Sequence, residues 1–147
     1  MRVDGPSNLV VEALRRLEVV CDSYLSVSTP VQVAAARLIE AGRSVRASIT
    51  RRITENLRCI ERGAAGHPAV TLLMPEGGWS AVLRVPAVET EDVLVTRLLE
   101  DAHVIAHPGY FFDFAHGAFV VVSLLPEPAV VSGALERMWP ILAGARS

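Results

Sequence analysis

The sequence contains no lysine; all 14 of its basic residues are arginine. Chemistry that needs a lysine amine, such as a Schiff base with a carbonyl compound, is therefore closed to these residues acting alone. Cysteine is scarce as well. Cys21 and Cys59 make neither a metal-ligand spacing nor a disulfide framework. Aromatics amount to 5% of the chain. Long apolar runs are missing: the longest stretch without Asp, Glu, Lys or Arg, Ser23–Ala36, has 14 residues and carries several polar groups, too short to span a membrane. No signal peptide is expected, because Asp4, Glu12 and Arg15 interrupt any apolar stretch near the start. This points to a cytoplasmic protein. A net charge of −2 and a pI near 6.1 supply no basic face, which argues against nucleic acid as a partner.

What is present suits a folded domain. The 147 residues are 51% hydrophobic and 20% charged, which excludes disorder. A chain of this length buries about 70% of its unfolded surface.

Periodicity divides the chain in two. In residues 1–42, Gly5-Pro6-Ser7 is turn chemistry after a short loop or strand remnant, and Ser7 or Asn8 can cap a helix near Leu9. Val10, Leu14, Leu17 and Cys21 share one face of that helix. Asp22–Pro30 reads as a crossing loop. A second helix starts near Pro30, with Val31, Ala34, Ala35, Leu38 and Ile39 on its apolar face, and Gly42 ends or kinks it.

From Arg43 to about Arg62, Val45, Ile49, Ile53, Leu57 and Ile60 recur at helical steps, with arginine and glutamate elsewhere, predicting an amphipathic helix with a solvated outer face. Gly63–Gly66 reads as a flexible joint. Val70–Met74 and Trp79–Val85 read as strands joined by the Pro75-Glu76-Gly77-Gly78 turn. Glu89–Asp101 reads as a helix capped by Thr90, with Val93, Leu94, Leu98 and Leu99 inside. Val104–Ala106 reads as a strand, Phe119–Leu125 as a strand buried on both faces, and Ala129–Leu142 as the last helix. The resulting order, α-β-β-α-β-β-α, predicts an α/β sandwich: a mostly antiparallel sheet covered by helices over residues 43–147, preceded by a two-helix arm, 1–42.

Chemical constellations are few. His103 and His107 lie four apart, but across a strand and without a third ligand, so no metal site is expected. His116, Asp113 and Ser123 show no nucleophile elbow, and no catalytic residue is assigned. Pro75–Gly78 lacks the lysine and helix N-terminus of a phosphate loop. Tyr110, Phe111, Phe112 and Phe114 are four of the six Tyr and Phe residues. They fall in a segment apolar enough to face a ligand or another surface.

An ordered series of segments resembles the C-terminal part of class I/II, fold type I, pyridoxal-phosphate-dependent aminotransferases. Arg2–Tyr24 looks like the strand end and helix after the cofactor-lysine segment. Ser26–Leu38 is similar to the family's Ser/Thr-Pro-x-Gln-x-Ala helix start, and Ser44–Ile60 to the long helix joining its two domains. Gly77–Ala81 is like its Gly-Gly-aromatic strand opening, Ala102–Tyr110 like its Val-x-x-x-Pro-Gly turn, and Phe119–Leu125 like its closing strand.

The resemblance implies a small domain, with the arm as a large-domain or dimer-interface remnant. It implies a substrate pocket lined by Tyr24, Ser26, Ser28 and Thr29 and by His107, Gly109, Tyr110 and Phe111. Pyridoxal phosphate would serve the complete enzyme, in amino-group transfer between amino and keto acids. No covalent cofactor link is expected on this chain, which is expected to be inactive by itself as a truncated, C-terminal piece. Val121 stands where the family's carboxylate-binding arginine is usual, and Arg84 on the neighbouring strand reads as solvated. The arm's apolar faces predict a homodimer through the N-terminal helices, worth several kcal/mol per face at ~25 cal/mol per Å². A separately encoded large domain is the other partner considered. The reading from a different class is a stand-alone dimerisation or small-ligand-binding regulatory module.

Overall fold

A computed structural model describes residues 5–24, 27–114 and 116–144. The chain divides into two compact units, Met1–Arg43 and Ser44–Ser147.

The first unit holds α1 (Ser7–Ser23) and α2 (Thr29–Ala41). Neither helix is closed by a side-chain cap: Pro6 occupies the N-cap position of α1 and Ser28 that of α2. The cap expected from Ser7 or Asn8 is therefore not formed; both residues are inside the helix. Pro30 sits in the first turn of α2, where its missing N–H has no intrahelical partner to lose. No residue of either helix is buried, and Leu9, Val19, Val33 and Ile39 are 60–80% exposed. The expected reading of residues 1–5 falls largely on positions outside the described residues.

The second unit is an α/β sandwich. Helix α3 (Arg43–Ala65) leads into a four-stranded, fully antiparallel sheet of β1 (Thr71–Leu73), β2 (Ser80–Val85), β3 (His107–Pro108) and β4 (Ala118–Ser123), in the order β1-β2-β4-β3. Helix α4 (Glu91–Ala102) connects β2 to β3, and α5 (Pro128–Leu142) follows β4. Alternation decides which face of β2 is covered: Ala81, Leu83 and Val85 are buried while Arg84 is exposed. On the core face these residues join Ala118 and Val120 of β4, Ile60 of α3, Leu94 and Leu98 of α4, and Leu135, Met138 and Leu142 of α5. Phe119 and Val121 are also buried, on the opposite face of β4, so the middle of that strand is covered on both sides. Its end is not: Val122 is half-buried and Ser123 exposed.

Five sequence expectations are corrected. The short strand is His107–Pro108 rather than Val104–Ala106. Helix α4 runs one residue further than expected and is closed by His103 in the left-handed region (φ 54°, ψ 42°), so residues 103–106 serve to leave the helix. Val93 and Leu99, expected inside, are about half exposed; only Leu94, Leu98 and Ala102 of α4 are buried. Val45 and Ile49 of α3 are exposed as well, because burial on that helix begins further along, at Ile53 and beyond. Gly63 is no joint. It lies inside α3, where a Cβ would come 2.5 Å from Cε2 of the Trp139 indole, a close approach that only glycine permits.

Asn56 ties α3 to the segment between β4 and α5. It is fully buried, and its Nδ2 donates to the carbonyl oxygens of Leu124 and Pro126, both at 2.9 Å. Arg52 reinforces the same junction, donating to the Leu125 carbonyl at 3.2 Å and pairing with Glu127.

Candidate functional site

The first turn of α4 builds the site. Thr90 caps the helix by accepting from Val93 N. Glu91 and Asp92 follow at the positive end of the helix dipole, where carboxylates are favoured. Their side chains then reach out of the helix. Glu91 accepts from Tyr110 N through Oε2 at 2.9 Å and from Phe119 N through Oε1 at 2.7 Å. Asp92 accepts from the Tyr110 hydroxyl at 2.7 Å. Two acidic residues thus clamp the turn after β3 and the start of β4 onto α4.

The clamped segment begins at His107 and Pro108, paired with Val121 and Val120 of β4. Gly109 follows, buried, where a Cβ would lie 2.6 Å from Phe119 Cβ and 2.9 Å from Glu91 Oε1. Any larger residue there would push the carboxylate clamp away from the strand. A single 3-10 turn, Gly109–Phe112, ends at Asp113, which adopts a left-handed conformation (φ 59°).

This geometry displays aromatic rings instead of burying them. Tyr110, Phe111 and Phe112 are 48%, 61% and 52% exposed. Phe111 lies edge-on to Tyr110 with centroids 5.0 Å apart, and the His107 ring is 6.0 Å from Phe111 and 6.3 Å from Phe112. Phe114 does the opposite: it stacks on buried Phe119 at 4.6 Å and anchors the far side of the turn. The Tyr110 phenol is held above its ordinary value of 10, first by the hydrogen bond to Asp92, then by partial removal from water and the charges of Asp92 and Glu91.

Of the eight residues expected to line a pocket, the structure brings His107, Gly109, Tyr110 and Phe111 together. Tyr24, Ser28 and Thr29 belong to the first unit and are exposed there, with Thr29 the first residue of α2 rather than part of the loop. Ser26 lies outside the described residues. The residues that the sequence reading missed are Glu91 and Asp92. Their place after a capping threonine signals dipole complementarity, but their long-range partners lie 18 to 28 residues away.

Val121 faces the same side of the sheet as Val82 and His107, its register partners. Arg84 sits on that face too, opposite Phe119, exposed and without a carboxylate partner among the described residues. The turn therefore offers π faces, an imidazole and a phenol. It offers no primary amine, and the absence of lysine anywhere in the chain means that these residues do not fit a covalently held pyridoxal phosphate. No group of three or more metal-binding side chains occurs among the described residues. None of their helices is long and apolar enough to cross a membrane.

No protein-family model matches the chain, and no curated protein does. Solved structures do. LysN, the alpha-aminoadipate aminotransferase of Thermus thermophilus, complexed with N-(5'-phosphopyridoxyl)-L-leucine, matches with a TM-score of 0.65 at 21% identity, covering 91% of this chain and 36% of LysN. The aromatic aminotransferase of Pyrococcus horikoshii matches with a TM-score of 0.57 at 21% identity, covering 72% of this chain and 27% of that one. An aminotransferase from Escherichia coli matches with a TM-score of 0.56 at 14% identity over 67% of this chain and 24% of its own. The fold is aminotransferase-like, and the chain spans about a quarter to a third of the length of the structures it matches.

Proposed function

We propose that this chain is the small, C-terminal domain part of a fold type I aminotransferase, covering a substrate pocket whose pyridoxal phosphate and cofactor lysine are contributed by residues outside these 147. In the complete assembly, amino groups would pass between amino and keto acids. The observation that carries this reading is an aminotransferase-like fold on a chain without lysine. The role of the present residues is to bind and shield. The His107–Phe112 turn, rigidly clamped by Glu91 and Asp92, would present Phe111 and Tyr110 to a substrate and exclude water. With valine at position 121, a substrate carboxylate has to be met by another cation. The cytoplasm is the proposed place of work.

The test has two parts. Pyridoxal phosphate added to the purified chain and reduced with borohydride should leave no pyridoxyl group on any side chain; an adduct on one would overturn the assignment of cofactor attachment to other residues. Translation of the DNA upstream of the Met1 codon in three frames should reveal a large-domain-like segment with a Ser-x-x-Lys sequence. Co-expression of the two parts then becomes the activity assay.

The arm supports a second element of the proposal. Apolar residues along α1 and α2 are exposed and no residue of either helix is buried. We propose that these helices form a homodimer interface, with a separately encoded large domain as the alternative occupant. Light scattering at micromolar concentration should give twice the chain mass; a monomer would refute the homodimer. The same observation leaves a regulatory module as the competing function. A 43–147 truncation that stays folded and keeps all ligand affinity would favour that module.

A further inference from the structure

A groove of about 230 Å³ lies within the second unit, between the segment that leaves α4, the end of β4 and one face of α5. Its walls are apolar: Val104 and Ile105, Val122 of β4, and Val130, Ala134 and Met138 of α5 among them. Val122 lines it, and Val121 faces the other side of the strand, so the groove opens away from the sheet face that carries Arg84 and His107.

Three polar side chains line this groove: Arg137, His103 and Ser123. Each can donate a hydrogen bond, and no carboxylate is among the lining residues. Arg137 is held in place by two backbone carbonyls. Its Nε donates to Ala102 O at 2.7 Å and its Nη1 to Gly133 O at 2.6 Å. Those contacts use the orphan carbonyl at the end of α4 and one turn of α5, so the guanidinium is pre-positioned. Its Nη2 has no hydrogen-bond partner, and the guanidinium no ion-pair partner, among the described residues.

We propose that this groove is a binding site for a small aliphatic monocarboxylate, its chain against Val122, Val130 and Ala134 and its carboxylate on Arg137. Size sets the class. At about 30 Å³ per water-sized atom the volume holds about eight heavy atoms, more than the roughly 150 Å³ cavity that takes up benzene and below the range of drug-sized pockets. A six-carbon acid has that size. The fixed cation supplies orientation, because a charge-assisted hydrogen bond to a carboxylate is about twice as strong as a neutral one. This inference is independent of the aminotransferase reading, since it uses neither the cofactor nor the His107–Phe112 turn.

Hexanoate and its uncharged twin hexanamide are the probes, titrated into the full chain and followed by amide NMR. Hexanoate should bind with a Kd of about 1 mM or tighter, shifting the amides of Val104, Ile105, Val130 and Ala134. Hexanamide should bind about tenfold more weakly. Equal binding of the two would overturn the role of Arg137. Shifts confined to other residues, or no saturable shift, would overturn the site. Ala134→Leu, which fills the groove, should weaken hexanoate at least about tenfold; a folded A134L variant with unchanged affinity would refute the proposal. Should that variant fail to fold, the residue-resolved shifts of the unmodified chain still decide the matter.

Discussion

Gly63 and Gly133 both lie inside helices, and alanine at each is expected to move stability in opposite directions. Helix propensity alone favours both changes by about 1 kcal/mol. Surroundings separate them. At Gly133 in α5 the nearest atom to a new Cβ is Arg137 Nη1 at 3.6 Å, an ordinary contact, so Gly133→Ala should stabilise by about 0.5–1 kcal/mol. At Gly63 in α3 the new Cβ would fall 2.5 and 2.6 Å from Trp139 Cε2 and Nε1. The indole cannot swing aside cheaply: it is 6% exposed, and the His67 ring stacks on it at 5.1 Å with an interplanar angle of 16°. Overpacking of a rigid ring belongs at the upper end of the range for such changes, about 3 kcal/mol. Subtracting the propensity gain leaves a net loss of about 2 kcal/mol, or a melting temperature lower by about 8 °C at about 4 °C per kcal/mol. Urea denaturation of the two variants and the parent chain, read by circular dichroism and by Trp fluorescence, measures both. G63A as stable as the parent would refute the packing argument. So would an equal loss in the two variants.

Three further outcomes test other parts of the structure. Glu91→Gln replaces one of two carboxylate oxygens that accept from Tyr110 N and Phe119 N with an amide donor. About 1.5–3 kcal/mol of charge-assisted bonding is at stake, and hydrogen exchange at the Tyr110 or Phe119 amide should accelerate; unchanged exchange at both would sink the clamp. Asn56→Ala leaves two carbonyls without their donor at a fully buried position, for an expected loss of about 2–4 kcal/mol in chemical denaturation; a loss under about 1 kcal/mol would contradict it. Tyr110 should ionise above its ordinary value of 10 in a 295 nm titration of a Tyr24→Phe background, and Asp92→Ala should lower that midpoint. The raised value favours the neutral phenol in the folded state. Its stabilising contribution is therefore complete below pH 10 and lost as pH rises through the folded-state value. An identical midpoint in D92A would show that the hydrogen bond is not the cause.

Local pattern carried much of the fold. The stripe Ile53, Leu57 and Ile60 on α3, the alternation Ala81, Leu83, Val85 on β2 and the Thr90 cap of α4 were legible because each depends on residues within one or two turns. The order α-β-β-α-β-β-α and its sandwich architecture follow from such signals, and the missing lysine is a fact of composition. The aromatic cluster around Tyr110 was equally visible as a run of residues.

Tertiary structure decided what depends on distant partners. Val93 and Leu99 have the same chemistry as Leu94 and Leu98, yet only the latter two meet the core, because the angle at which α4 packs is not written in α4. The two-residue strand at His107 is defined by pairing with β4, not by its own composition. Gly63 looked like a break until Trp139, 76 residues later, filled the space beside it. Glu91 became a clamp only when Tyr110 N and Phe119 N converged on its two oxygens. Hydrophobic periodicity records which face of an element avoids water; the neighbour that covers that face, and the polar groups it brings along, are fixed only when non-local segments pack together.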